Sequence, residues 1–450
     1  MSLYKRLQDA QGSGSATGRS PLLDELRQKI HSQLIDELGA VLYDKRLSED
    51  DLRKRVQDQL QAVLLRETAA ITAADRAQLV SDVSDDILGY GPIDKYLHDS
   101  TVTEVMVNGP RRVFVEREGK IVATGTTFID ESHLRRIIDK IVGQIGRRID
   151  EATPMVDARL PDGSRVNAVV HPLAIGGPFL TIRKFSVEPF TVDDLIAFGT
   201  FNEQVARFLA ICVQGRMNIV VSGGTGTGKT TTLNVLSSFI PTNERIVTVE
   251  DAKELQLAQV HVLPLEARPP NIEGRGEITI RDLVRNALRM RPDRIVVGEC
   301  RAGETLDMLQ AMNTGHDGSL TTIHANSPRD VLSRIETMTL MSGFDLPMRA
   351  IREQVVGALD LIVHLSRLRD GTRRITHVTE VEGLGEDSVV TRDLFLFDYG
   401  MGVGDDGLFR GHLKPTGLRP AFAQRMADHG LPLDPELFEP EPPVRQAVIS

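Results

Sequence analysis

Residues Gly223-Gly224-Thr225-Gly226-Thr227-Gly228-Lys229-Thr230 form a complete GxxxxGKT string between an apolar run, Ile219 to Ser222, and a helix-patterned stretch, Leu233 to Phe239. No other feature restricts the fold as much, because strand, glycine loop and helix in that order build a cradle for polyphosphate. The glycines admit backbone angles that turn successive N–H groups toward one point, and the helix N-terminus adds partial positive charge there. Lys229 then reaches the β and γ phosphates, Thr230 offers its hydroxyl to Mg2+, and Thr231 is counted with the binding set.

The chain around the loop has the matching texture. From Thr191 onward helix and strand alternate in the manner of a parallel α/β sheet. Helical patterns at Phe201–Val213, Leu233–Phe239, Ile280–Arg289, Thr305–Asn313 and within 331–358 separate strand runs at Ile219–Ser222, Ile246–Val249, Ile295–Val297, Ser319–Ile323, Leu361–Leu365 and Ile375–Val381. Upstream, residues 20 to 88 read as a small helical unit. Its apolar stripes are Leu23, Leu26, Ile30, Leu34 and Leu38, then Leu52, Val56, Leu60 and Val63 behind a Ser48 cap, then Leu79 to Leu88. Short β-type runs around one helix, Glu131–Ile145, make the next stretch an α+β module. A length of 450 residues predicts two to four domains. The pattern assigns a flexible leader at 1–19, a helical bundle at 20–90, the α+β domain at 91–186, a linker at 187–190, the loop-bearing domain at 191–385 and a loosely ordered, Gly- and Pro-punctuated extension at 386–450.

Phosphate binding alone serves a kinase, a GTPase or a motor, so the other strand ends must decide. Ile246–Val249 runs into Glu250-Asp251, and Ile295–Val297 runs into Gly298-Glu299. Both pairs fall at C-terminal strand ends, where open α/β sheets bind ligands. Hydrolysis needs one carboxylate to polarise the attacking water and one to order the Mg2+ shell through water. Glu299 and Glu250 are the candidates, with Glu299 and Asp251 as the water-mediated partners of the ion; the plainer reading is caps and loops. His324 ends the next strand and His316 precedes it, both at sheet-edge positions from which a side chain could sense the γ-phosphate. Neither has further ligands at zinc spacing. Six arginines between 281 and 301 form a basic group that pairs either with neighbouring subunits, with a substrate channel or with carboxylates of the same chain. An arginine often completes a phosphate-loop site, and the sequence leaves open which one.

Composition narrows the partners. Lys plus Arg (53) against Asp plus Glu (63) gives a net charge of −10, which argues against a general nucleic-acid coat. With 4% aromatics and no Trp, base-stacking platforms are disfavoured too. Two cysteines, Cys212 and Cys300, suit a reducing compartment. The polar start is not a signal peptide, and no run approaches the roughly 20 apolar residues of a membrane span. The chain reads as cytoplasmic, meeting membranes only through partners.

Four boxes in order resemble the secretion ATPases of type II and type IV systems, particularly the CpaF-type ATPase of tight-adherence (Flp) pilus assembly. They are Gly223 to Thr230 as Walker A, Thr248 to Leu255 as the Asp box, Arg291 to Glu299 as Walker B, and Thr314 to Ser319 through His324-Ala325-Asn326 as the His box. Leu88 to Ile93, Val105 to Pro110 and Leu160 to Asn167 add to the likeness, which covers about residues 85 to 400. The resemblance implies a RecA-like P-loop ATPase core, a preceding PAS-like α+β domain and a homohexameric ring using ATP and Mg2+. It also implies that α+β-domain arginines complete the site: Arg165 and Arg183, with Arg159 and Arg147 behind them. Lys229, Glu299, Glu250 and His324 would be the catalytic groups beside those arginines. The expected work is pilus assembly through an inner-membrane platform protein, from the inner face of the cytoplasmic membrane. The rivals are a conjugation or effector-export ATPase moving DNA or protein, and a nucleotide-gated scaffold with little turnover.

Overall fold

Apolar residues at alternate positions make β1 (Val102–Asn108) the middle of an antiparallel sheet, with Val105 and Val107 buried on one face and Met106 and Asn108 on the other. The computed structural model describes residues 49–66, 72–117, 119–144, 147–185, 189–270 and 275–440, together with Leu26, Lys29, Ile30, Gln33, Leu34, Glu37 and Leu38. The expected leader, Leu23, the Ser48 cap, Val187 and Glu188 of the linker, and the last ten residues lie outside these.

The chain divides into two compact units, Met1–Ser186 and Val187–Ser450. In the first, β2 (Val113–Arg117), β3 (Lys120–Ala123), β4 (Met155–Arg159), β5 (Arg165–Val169) and β6 (Phe179–Arg183) join β1 in the order β3-β2-β1-β6-β5-β4, every neighbour antiparallel. The helix Glu131–Gln144 buries Leu134, Ile137, Ile138 and Ile141 in one cluster with the inner residues of that sheet. Helices Glu49–Arg66 and Ala73–Leu88 share a smaller core of Ile30, Leu34, Val56, Leu60 and Val83. Lys140 Nζ reaches the carbonyls of Ile87, Leu88 and Gly89 at 3.2, 2.6 and 2.9 Å, satisfying the orphan acceptors at the end of the second of these helices.

The second unit is built on one nine-stranded sheet. Its strands are β7 (Ile219–Gly223), β8 (Ile246–Glu250), β9 (Val262–Glu266), β10 (Arg294–Cys300), β11 (Leu320–His324), β12 (Leu361–Arg367), β13 (Arg373–Leu384), β14 (Val389–Phe397) and β15 (Leu413–Pro415), ordered β15-β14-β13-β12-β7-β11-β10-β8-β9. From β12 to β9 all neighbours are parallel, and β13 to β15 are added antiparallel. Counted from the glycine-loop strand, β7, β8, β10, β11 and β12 lie in the order 5-1-4-3-2 of a RecA-like core. Both faces are covered, as a parallel sheet requires. β7 buries Ile219 and Val221 in the cluster around Phe208 and Val220 in the cluster on the other side.

The loosely ordered extension expected after residue 385 is corrected by β14, β15 and the helix Ala423–Asp428. Leu394, Phe395, Leu413, Phe422, Met426 and Phe438 sit in the same core cluster as Phe208. Glycines and prolines there punctuate turns between short elements, and the apolar residues of those elements supply the buried surface that holds them down.

Candidate nucleotide site

Parallel pairing brings four strand ends to one edge. His324 is in register with Gly223, and Val297 with Val249, so the ends of β7, β8, β10 and β11 stand together. The loop leaves β7 at Gly223, where an added Cβ would meet Leu365 O at 2.5 Å and Thr227 Oγ1 at 2.6 Å. Gly226 and Gly228 have φ of 71° and 94°, the left-handed region that side chains avoid. The helix Lys229–Ser237 begins directly after Gly228, four residues before the apolar pattern signalled it. Thr227 Oγ1 and Lys229 Nζ both donate to Gly224 O, at 3.0 and 2.9 Å. Thr225 and Gly226 are exposed, and Gly224, Thr230 and Thr231 are partly so. Burial lowers the Lys229 ammonium below its ordinary value, against the pull of Glu299, with Arg301 pushing the same way as burial.

The two glutamates differ in surroundings. Glu250 is buried, its Oε2 accepts from the backbone N–H of Glu254 and Leu255 at 2.7 and 2.8 Å, and its Cγ lies against Gly298. Burial raises its carboxyl above the ordinary range. Glu250 therefore shapes the turn that follows β8. Glu299 is held from the side by Arg301, which also meets Asp251.

His324 ends β11 beside the loop, and its pKa is lowered by burial and then by the charge of Lys229, which favours the neutral imidazole. His316 does not join it. It lies before β11 starts, next to Gly318, whose N–H donates to Asn218 at the start of β7. That is the opposite edge of the sheet, in keeping with the sequence, where His324 continues a core strand directly and is the better placed of the two.

Of the arginine group, Arg281 and Arg285 both bind Asp307, at 2.7 and 2.6 Å, and Arg294 pairs with Glu244 in the core. Intrachain carboxylates thus account for these members. In the first unit, Arg159, Arg165 and Arg183 are cross-strand neighbours on β4, β5 and β6, on the face opposite the helix. Arg183 Nε is 3.7 Å from Glu104 Oε2, and Arg147 Nη1 donates to Asp157 O at 3.0 Å.

The family described as type II/IV secretion system protein matches residues 86–390. The chain belongs to this family of secretion ATPases. It is 38% identical over 299 residues to a putative conjugal transfer protein of Mycobacterium tuberculosis, covering 65% of this chain and 84% of that one. It is 33% identical over 321 residues to the type IV secretion system protein VirB11 of Brucella abortus, covering 64% and 87%. The crystal structure of the VirB11 ATPase of Brucella suis, in complex with sulphate, is 32% identical, covering 64% of this chain and 91% of that one with a TM-score of 0.35.

Two features of this secretion ATPase escape a reading of motifs. Arg301 stands in the Arg281–Arg301 group without distinction, yet its guanidinium joins Glu299 and Asp251. His364 lies within Leu361-Ile362-Val363-His364-Leu365 and touches Ser222, the residue before the loop. A polar residue inside the apolar run Leu361–Leu365 is the only signal it offers.

Proposed function

We propose that this secretion ATPase is the ATP-hydrolysing motor of a pilus-assembly or export machine, acting as a homohexamer at the inner face of the cytoplasmic membrane. The reading is carried by one observation: Lys229, Glu299 and His324 come from separate segments of chain to one sheet edge, around a glycine loop shaped for phosphates. Lys229 leaves Gly224 O and takes the β and γ phosphates, helped by N–H groups of Gly224 to Thr230. Glu299 polarises the attacking water, and neutral His324 reports the γ-phosphate. Glu250 keeps the turn after β8 in place, and Arg165 and Arg183 are the proposed source of guanidinium charge for the transferring phosphoryl group.

Among the described residues no three His, Cys, Asp or Glu cluster as a metal cage. That suits Mg2+, which is commonly held by substrate phosphates, one or two protein oxygens and water. Thr230, in the half-buried first turn of its helix, would hold it directly, with Glu299 and Asp251 through water. The bound ion would neutralise charge on the phosphates.

Among the described residues no helix is long and apolar enough to cross a membrane. Force would therefore pass to an integral-membrane platform protein. The helical unit before residue 90 and the CpaF-like boxes support pilin assembly as the work done. Export of protein or DNA is the second reading, favoured by the names of the relatives, conjugal transfer and type IV secretion. Lys229→Ala is expected to abolish hydrolysis by the purified chain, and normal turnover would sink the site. In cells carrying that variant, loss of surface pili with conjugation intact supports the first reading, and the reverse supports the second.

A further inference from the structure

The turn between β12 and β13 stands beside the glycine loop. β12 runs parallel to β7 with Leu365 in register with Gly223, and Leu365 O is the atom that leaves no room for a side chain at Gly223. β12 then ends at Arg367, whose partner across the antiparallel ladder is Arg373, the first residue of β13. Arg373 lies against the loop itself: a Cβ built on Gly228, the glycine before Lys229, would meet Cδ of Arg373 at 3.7 Å, an ordinary van der Waals contact. The guanidinium begins one bond beyond Cδ, so its charge is carried at the edge of the loop. Leu368 N–H donates to Thr372 O at 2.8 Å and Gly371 N–H to Leu368 O at 3.0 Å, with Gly371 at a left-handed φ of 86°, so the turn that presents Arg373 is closed on itself. The one acid between Arg367 and Arg373 is Asp370, and both its oxygens are occupied elsewhere. Oδ1 accepts from Thr372 N–H and Oγ1–H at 2.8 and 2.7 Å, and Oδ2 from the Phe409 N–H at 2.8 Å, which also ties the turn to the C-terminal segment. The Arg373 side chain is exposed and, among the described residues, has no ion pair or hydrogen bond. An arginine packed by its stem on a phosphate loop, with no carboxylate to engage it, is an available donor for an anion seated there.

We propose that Arg373 binds the α- and β-phosphates of the nucleotide, on the nucleoside side of the loop, and so sets affinity for ATP and ADP alike. The proposal rests on the ATPase site described above. Glu299 and His324, the groups assigned to the γ-phosphate end, come from β10 and β11 on one side of β7, whereas β12 and β13 lie on the other. The phosphates within reach of Arg373 are therefore the two that ATP and ADP share. A contact made equally to substrate, transition state and product changes KM and Kd and leaves kcat as it was.

The test measures hydrolysis by the full chain over a range of ATP concentrations, beside binding of mant-ADP, for Arg373→Ala and Arg373→Lys. Arg373→Ala is expected to raise both the KM for ATP and the mant-ADP Kd roughly tenfold, as the loss of a charge-assisted contact does, while kcat at saturating ATP stays within about threefold of the parent. Arg373→Lys keeps the charge without the planar fork and should regain part of the affinity. Unchanged KM and Kd in Arg373→Ala overturn the proposal. So does a fall in kcat with mant-ADP binding intact, which would move the arginine to the γ-phosphate. Thermal melting of Arg373→Ala should match the parent, because the side chain is exposed. If it does not, Arg373→Gln, which keeps most of the stem, takes its place with the same expected rise and the same overturning results. Lys229→Ala run alongside separates the two readings. Normal hydrolysis there removes the site itself, whereas its loss, with KM and Kd unchanged in Arg373→Ala, removes only the role of Arg373.

Discussion

Arg301 holds Glu299 by two nitrogens: Nη2 lies 2.6 Å and Nε 2.8 Å from the same carboxylate oxygen, Oε2. Its third nitrogen, Nη1, is 3.1 Å from Asp251 Oδ2. One guanidinium thus joins carboxylates at the ends of two different strands, and it leaves Glu299 a single oxygen for water.

Replacing Arg301 with Gln frees both carboxylates and unsets the direction of Glu299. The expected result is a fall in kcat of roughly tenfold, since orientation of a catalytic group is worth at least that. Stability should hardly change, because the Arg301 side chain is 56% exposed and such pairs contribute little. Steady-state hydrolysis and thermal melting on one preparation check both parts; an unchanged kcat would reduce the contact to surface decoration.

The buried pair of Arg294 and Glu244 behaves oppositely. Arg294 is 0% exposed, its Nη2 is 3.3 Å from Glu244 Oε1 and its Nη1 donates to Gly318 O at 3.2 Å. Arg294→Met leaves Glu244 with only the half-exposed Arg216, 3.1 Å from its Oε1, and should cost about 3 kcal/mol. Adding Glu244→Leu removes the remaining buried carboxylate, so the double variant should recover part of the loss. Urea midpoints of the two variants decide it, and a double variant no better than the single would refute the electrostatic cause.

Phe438, near the far end of the described chain, meets Phe208 edge-on at 5.6 Å and is 4% exposed. Phe438→Ala should destabilise the second unit by about 3–5 kcal/mol, as for other large-to-small changes in a core. A urea midpoint equal to that of the parent would show that the C-terminal segment is not part of the folded core.

Acid stability follows from His364. Folded, its ring titrates at about 4; unfolded, it titrates near 6.5. Between these values the unfolded chain binds a proton that the folded chain refuses, so the folded state loses ground as pH falls. The contribution is complete above about pH 6.5 and shrinks toward 4, by about 2 kcal/mol at pH 5. His364→Gln should therefore flatten the dependence of the urea midpoint on pH between 7 and 5. Parallel curves for parent and variant would contradict the assignment.

The glycine loop, the parallel core strands and the edge positions of Glu250, Glu299 and His324 were legible because each rests on local pattern: a fixed motif, a short apolar run, a polar residue at its end. β9 and β15 were not, and both close the nine-stranded sheet at its edges. Each carries a proline, Pro264 and Pro415, which an edge strand tolerates and which reads in sequence as a break. β14 failed to show because half of its residues face outward and glycine-rich turns flank it. The partners of Glu250, Arg301 and His364 come from chain 4 to 142 residues away, through backbone groups and ion pairs that no spacing encodes. His316 precedes β11 and so falls at the N-terminal end of a parallel strand, away from the loop, whereas His324 ends that strand beside Gly223.

The strand order has a practical consequence. The family match stops at residue 390, the second residue of β14, while the sheet runs on through β15. Trimming the chain to its recognisable part would strip β13 of its hydrogen-bonded neighbour, and β13 is paired to β12, which lies directly beside the loop strand β7. A truncation that looks conservative on paper would open a raw sheet edge two strands from the glycine-loop strand, inviting aggregation and slackening the loop at once.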